Sequence, residues 1–215
     1  MATHYTIQAD VVDISIDRPW NTDAFLVDTN VWYWMTYSRA SQCLRPPARY
    51  QTSNYPSYTN AALSIGARIF QSGLSLAELT HLIEKAEYEI FARANPVIFP
   101  DPNRFNKNFR HDRNKEREQV VSEIKAAWAQ VDDLAEPLTV VIEESVTKAA
   151  LSHLQTEKVD GYDLFILESM EKHGVKKIIT DDGDFATVSD IQVFTANHNV
   201  IQAARSQGKL ITRCH

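Results

Sequence analysis

Cysteine is scarce in this chain: 215 residues contain two, Cys43 and Cys214, far apart and without metal-type spacing. Neither a disulfide framework nor a cysteine-built zinc site is expected. Long apolar runs are lacking too, and none approaches the roughly 18 residues that a membrane-spanning helix requires. The opening segment, MATHYTIQADVVDISID, has no basic start followed by an apolar stretch. That predicts no secretory signal and no anchor, hence a cytoplasmic protein with no membrane partner. No internal repeat and no linker break is found. An excess of positive charge is also missing: the formal net charge of -6 argues against whole-surface attraction to nucleic acid, while leaving room for a local basic patch.

What is present is ordinary for a folded chain, with 44% hydrophobic and 23% charged residues, enough for one well-buried core. The expected organisation is an extension over residues 1–23 and a single domain over 24–215 with a short C-terminal tail. In the extension, the alternating Val11-Val12-Asp13-Ile14-Ser15-Ile16 suits an edge strand. Ala24 to Val27 reads as a strand running into Asp28-Thr29-Asn30 and then a helix. The Pro-, Tyr-, Ser- and Asn-rich segment from Cys43 to Tyr58 reads as a long surface loop. Helical spacing is read over Ala61 to Gln71 and from Leu76 to about Arg93, with Asn95-Pro96 as the stop.

A basic stretch from Arg104 to Arg117 merges into an amphipathic helix through Val121, Ile124, Trp128 and Val131. Leu138 to Ile142 reads as a strand and Glu144 to Gln155 as a helix. Asp163 opens another helix, closed at His173-Gly174. Lys177 to Thr180 forms a strand, Asp181-Asp182-Gly183-Asp184 an acidic turn, and Ile191 to Phe194 the last strand. Strands alternating with helices predict an α/β fold, a mostly parallel sheet covered on both faces. Sites in such sheets lie beyond the carboxyl ends of strands, where Asp28 and Asp182 fall.

Four acids stand out, and each also has a plain structural use. Asp28 and Asp163 suit helix caps, Ser75-Leu76-Ala77-Glu78 matches a capping box, and Asp182-Gly183 is a common turn pair. Two of the four arise at strand ends and two at helix starts, where an alternating fold can bring side chains into one crevice. Carboxylates forced together repel unless cations neutralise them, and oxygen ligands favour Mg²⁺ or Mn²⁺ over zinc.

In chain order, Phe25-Leu26-Val27-Asp28-Thr29-Asn30, Leu74-Ser75-Leu76-Ala77-Glu78-Leu79, Tyr162-Asp163-Leu164-Phe165-Ile166-Leu167 and Ile179-Thr180-Asp181-Asp182-Gly183-Asp184-Phe185 resemble the PIN-domain nucleases, most closely the VapC toxin branch. The likeness runs from about Phe25 to Ala196. It implies a three-layer PIN-like fold and catalytic acids Asp28, Glu78, Asp163 and Asp182, with Asp160 and Asp181 as neighbouring alternatives to the last two. By the same resemblance Asp28, Asp163, Asp182 and Asp184 would hold Mg²⁺ or Mn²⁺, steadied by Asn30 and Thr180. Such an ion would activate water for cleavage of RNA to 5′-phosphate and 3′-hydroxyl ends, with Glu78 completing the cage or orienting that water.

The implied partners are an RNA substrate, an antitoxin protein and a second copy of the chain. Arg104, Lys107, Arg110 and Arg113, followed by Lys115 and Arg117 and interleaved with Phe105 and Phe109, suit phosphate contact with base stacking, or else a solvated surface. Tyr50, Tyr55 and Tyr58 read as core or loop packing ahead of stacking on unpaired bases, Trp32 and Trp34 as core or interface, and His81, His153 and His173 as surface or packing residues. A non-toxin PIN nuclease in RNA processing and an inactive PIN-fold binding module are the alternative functions. A phosphoacceptor receiver domain would want paired acids near the first strand and a late lysine, and Asp28-Thr29-Asn30 fits that poorly.

Overall fold

Successive side chains of a strand point to opposite faces, and the short strands of this chain are apolar on both. The computed structural model describes residues 4–139 and 141–213. In it, Val12, Phe25, Val27, Ile69, Ile179 and Phe194 enter one core cluster, while their neighbours Val11, Leu26, Phe70, Ile178 and Val193 enter a second. The sheet is therefore buried from both sides, as the two-sided apolar pattern requires.

Seven strands form this sheet: β1 (Asp10–Asp13), β2 (Ala24–Val27), β3 (Arg68–Ser72), β4 (Glu136–Leu138), β5 (Lys177–Ile179), β6 (Gln192–Thr195) and β7 (Leu210–Ile211). They lie in the order β4-β3-β2-β5-β6-β1-β7, and every pairing is parallel. Helices α1 (Thr29–Thr36), α2 (Arg49–Ser64), α3 (Gly73–Ala94), α4 (Lys107–Asp112) and α5 (Asn114–Leu134) precede β4. Helices α6 (Glu144–Thr156), α7 (Gly161–Lys172) and α8 (His198–Ser206) follow it. Residues of α1, α2, α3 and α5 fill the first core around Trp32, Tyr55 and Leu79, and residues of α6, α7 and α8 fill the second around Ile166, Met170 and Val200. The result is a three-layer α/β fold. A satellite cluster of Tyr88, Phe99, Phe109 and Val120 joins α3, α4 and α5.

Four expectations need correction. The segment Cys43 to Tyr58 is largely not a loop, because α2 begins at Arg49 and runs through Pro56. Its inward face is Tyr55, Tyr58, Thr59 and Ala62, a helical spacing whose burial outweighs the hydrogen bond that proline removes. The expected helix over Ala61 to Gln71 ends at Ser64. Gly66, at φ +83°, takes the left-handed backbone that glycine adopts without steric cost, and the chain re-enters the sheet as β3. The strand expected from Leu138 to Ile142 is instead β4, ending at Leu138; Val141 and Ile142 are exposed, while Val140, like Cys214, lies outside the described residues. Finally, β1 is not an edge strand, since it pairs with β6 on one side and β7 on the other.

Among the described residues no helix is long and apolar enough to cross a membrane.

Candidate active site

From β2 the chain proceeds outward through β3 to β4, then returns to lay β5 on the other side of β2 and β6 beyond it. The carboxyl ends of β2 and β5 thus flank the point where strand order reverses, the place where open α/β sheets form a crevice. Asp28 follows β2 there, with its backbone N–H donating to the Ile179 carbonyl at 3.1 Å. Its side chain is buried, at 5% exposure, and held on every side. Oδ1 accepts the Thr29 N–H at 2.6 Å, and Oδ2 accepts Thr180 Oγ1–H at 2.6 Å and Asn30 Nδ2–H at 2.6 Å. Asp28 therefore caps α1, and Asn30 and Thr180 both hydrogen-bond its carboxylate.

The other acids approach from three directions. Glu78 lies in the second turn of α3, whose cap is Ser72 accepting from Leu74 N–H at 3.2 Å. The capping box read at Ser75 is consequently absent, and Glu78 is released to face the crevice. Asp163 is in the first turn of α7 and is buried at 7% exposure. Asp182 follows β5, and its Oδ1 accepts the Asp184 N–H at 2.9 Å, a turn that aims the carboxylate without consuming it.

The charges of these groups act on one another. Asp28 is pushed up to about 7, first by burial, then by Glu78 and Asp182, against its Thr180 hydrogen bond. Asp163 is pushed up to about 9 by burial and then by Asp28, Asp160, Asp182 and Glu78. Glu78, Asp182 and Asp184 are raised as well, each first by burial, with Asp160 contributing to all three. The exposed Asp160 is thus a member of the cluster that sequence reading held only as a substitute. Asp181 also raises Asp182, but its own carboxylate is engaged, accepting Tyr55 Oη–H at 2.6 Å, Gln51 Nε2–H at 2.7 Å and Tyr50 Oη–H at 3.1 Å, all from α2.

A divalent cation suits this donor set. The ligands are hard oxygens, and Thr29 Oγ1, Asn30 Oδ1 and Glu78 Oε2 are buried with no hydrogen-bond partner. Among the described residues no three of these acids place ligating oxygens within 4.8 Å of one another. That spacing fits an ion that keeps part of its own water shell.

Sequence reading missed several neighbours of the site. His81, one turn beyond Glu78 on α3, adds to the Thr29 side chain in opposing the rise of Glu78. Tyr5, in the leading segment, lies over Gly183 so closely that a Cβ there would meet its ring carbon at 2.3 Å. Asn197, the cap of α8, donates to the Asp181 carbonyl at 2.8 Å.

The basic stretch divides in two. Arg110 forms a two-pronged ion pair with the buried Glu84, which Arg117 Nη1 also reaches at 3.0 Å. Phe109 is 2% exposed, so it packs and does not stack on bases. Arg113 lies over the Phe91 and Phe99 rings. Arg104 and Lys107 stay exposed and, with Phe105 and Tyr88, line a groove of about 500 Å³. Among the aromatics weighed as packing residues, Trp32 and Tyr55 are fully buried.

The crevice lies at the switch point of a parallel α/β sheet and is lined with acids. Residues 25–191 match the PIN domain, and the chain belongs to that family, whose members are generally metal-dependent nucleases. A solved structure described as FitAB bound to an IR36 DNA fragment is similar over 81% of this chain and 96% of its own, at 18% identity and a TM-score of 0.34. No curated protein matches the sequence.

Proposed function

We infer that this chain is a Mg²⁺- or Mn²⁺-dependent endoribonuclease that hydrolyses RNA phosphodiester bonds, and that it acts as the toxin of a toxin–antitoxin pair. The observation that carries the reading is the gathering of four carboxylates, Asp28, Glu78, Asp163 and Asp182, all raised first by burial and then by acidic neighbours, beside buried oxygens without partners at the switch point. Asp28, Asp163 and Asp182, with Asp184 beside them, would hold the cation. When bound, it neutralises this charge and supplies an acidified water for attack on phosphorus.

The protein's own side chains do the rest. Asn30, Thr180 and the Thr29 amide fix the Asp28 carboxylate, so little reorganisation remains at the moment of reaction. Glu78 has an oxygen without a partner and is positioned to orient the attacking water. Its own upward shift moves it toward the range where a general base is effective. Arg104 and Lys107 offer phosphate contacts to offset the repulsion between substrate and acids, and the partly buried Phe105 in their groove offers one ring on which a base of an unpaired strand can stack.

The test is cleavage of single-stranded RNA by the purified chain. Cutting with Mn²⁺ or Mg²⁺, loss with chelator, 5′-phosphate ends and loss in Asp28→Asn are expected. Cleavage unchanged by that substitution would refute the assignment. Cleavage confined to one structured RNA, without toxicity on expression, would favour an RNA-processing nuclease, and metal-independent RNA binding without cleavage a binding module.

A further inference from the structure

Helix α6 is lightly held: Ala150 is its one fully buried residue, while Leu151 and Leu154 are exposed. Across from it on α7 lies a polar cluster far from the acidic crevice. His153 Nδ1 is 2.6 Å from Glu157 Oε2, just beyond the end of α6, and Nε2 is 2.9 Å from Glu168 Oε1 on α7. Glu171, one turn after Glu168, completes a set in which one ligating atom each from His153, Glu168 and Glu171 lies within 4.8 Å of the others. The Glu157 and Glu168 side chains are 10% and 13% exposed. Even with His153 protonated, three carboxylates leave this cluster net negative, and burial raises Glu168. A cavity of about 330 Å³ opens beside it, with His153, Glu157, Glu171, Lys176, Ser189 and Asp190 among its lining.

We propose that His153, Glu168 and Glu171 form a second metal site, selective for Zn²⁺ over Mg²⁺, that pins α6 to α7. An imidazole with two carboxylates is a ligand set for zinc and related ions, and the cavity leaves room for a water as fourth ligand. Two observations set the cluster apart from an ordinary ion pair. Glu157 sits on Nδ1 and so turns Nε2 toward the other two carboxylates, the arrangement that fixes the tautomer of metal-binding histidines. Glu171, in turn, forms no ion pair among the described residues, yet it completes the triad. The site lies toward Lys176 and Ile191, which precede β5 and β6, at the opposite end of the strands from Asp28. It does not depend on the nuclease reading.

The test uses the full chain, stripped of metal and held in excess Mg²⁺, titrated with Zn²⁺ by calorimetry and thermal unfolding, with Co²⁺ absorption reporting nitrogen ligation. One Zn²⁺ equivalent that raises the melting temperature is expected, and Asp28→Asn should retain it. Glu171→Gln, which removes no ion pair, should keep the metal-free melting temperature and weaken Zn²⁺ at least about tenfold. His153→Ala should abolish both the Zn²⁺ shift and the Co²⁺ band. Zn²⁺ binding that Asp28→Asn removes and Glu171→Gln leaves intact would overturn the proposal, as would the absence of any Zn²⁺-dependent shift.

Discussion

Asp163 offers a perturbation whose effects on stability and activity run in opposite directions. Its carboxyl is pushed from 3.8 up to about 9 in the metal-free fold, chiefly by burial and then by four neighbouring acids. A group whose folded pKa exceeds its unfolded value binds more protons in the native state between those two pH values. Unfolding free energy therefore falls as pH rises through that window. Each pH unit is worth at most about 1.4 kcal/mol. At pH 7.5 the formal cost reaches about 5 kcal/mol, which coupling among the acids and local relaxation reduce to about 2–3 kcal/mol. Asp163→Asn removes the charge and keeps the shape. In chelator at pH 7.5 it should melt about 4–12 °C above the wild type, at about 2–4 °C per kcal/mol for a chain of this size. The gap should close toward pH 4 and narrow with saturating Mn²⁺, which stabilises the wild type by mass action. RNA cleavage should be lost throughout. Scanning calorimetry across pH, with and without Mn²⁺, measures this directly. A wild-type melting temperature in chelator that stays flat from pH 5 to pH 8.5, with Asp163→Asn no more stable, would refute the reasoning.

Other sites give equally direct outcomes. Tyr55→Phe removes a buried hydroxyl that contacts Asp181, the Thr180 carbonyl, Thr195 and the Ala196 N–H. It should cost about 1–3 kcal/mol and raise the Mn²⁺ concentration needed for half-maximal cleavage, because the turn carrying Asp182 loses its tether. Arg213→Ala removes the one cation paired with the buried Asp17 among the described residues and leaves Asp23 with Lys177 alone. A loss of about 3–5 kcal/mol in urea unfolding is expected, with catalysis per folded molecule unchanged. Arg110→Ala should lower stability by uncovering Glu84, whereas Lys107→Ala should leave stability alone and reduce the salt dependence of RNA binding by about 0.7 in the log–log slope. Gly183→Ala would drive a methyl group into the Tyr5 ring, and it should depress cleavage more than the melting temperature.

The fold class and the place of the candidate crevice were legible in the sequence, while several elements of the scaffold were not. Asp28 and Asp182 were legible because an apolar strand ending in a carboxylate is a local pattern, and the alternation of strands with helices located the sheet's carboxyl edge. Glu78 and Asp163 carried helix-start patterns equally suited to capping. For Glu78 the ambiguity dissolves once the helix is seen to start three residues before Ser75's expected role, at Ser72. Helix α2 escaped notice because Pro56 and many polar residues hide a buried spacing visible only when the sheet is present. Asp160 and Asp181 could not be told apart by position. One is exposed beside the cluster and the other is bound to three side chains about 130 residues away in sequence; local pattern carries no trace of such long-range pairings.

The position of β1 has a consequence for the order in which the protein is made. Residues 10–13 emerge from the ribosome well before their partners on either side, residues 192–195 and 210–211. At about 5–20 residues per second of synthesis, the segment waits roughly 10–40 s with both edges unpaired. During that interval Tyr5 cannot press on Gly183, and Arg213 has not yet joined Asp17 and Asp23. Until β1 pairs, a polypeptide still under synthesis carries Asp28, Glu78 and Asp163 without the strands that complete the sheet around them. For a protein proposed to cut RNA, that delay would spare the message being read.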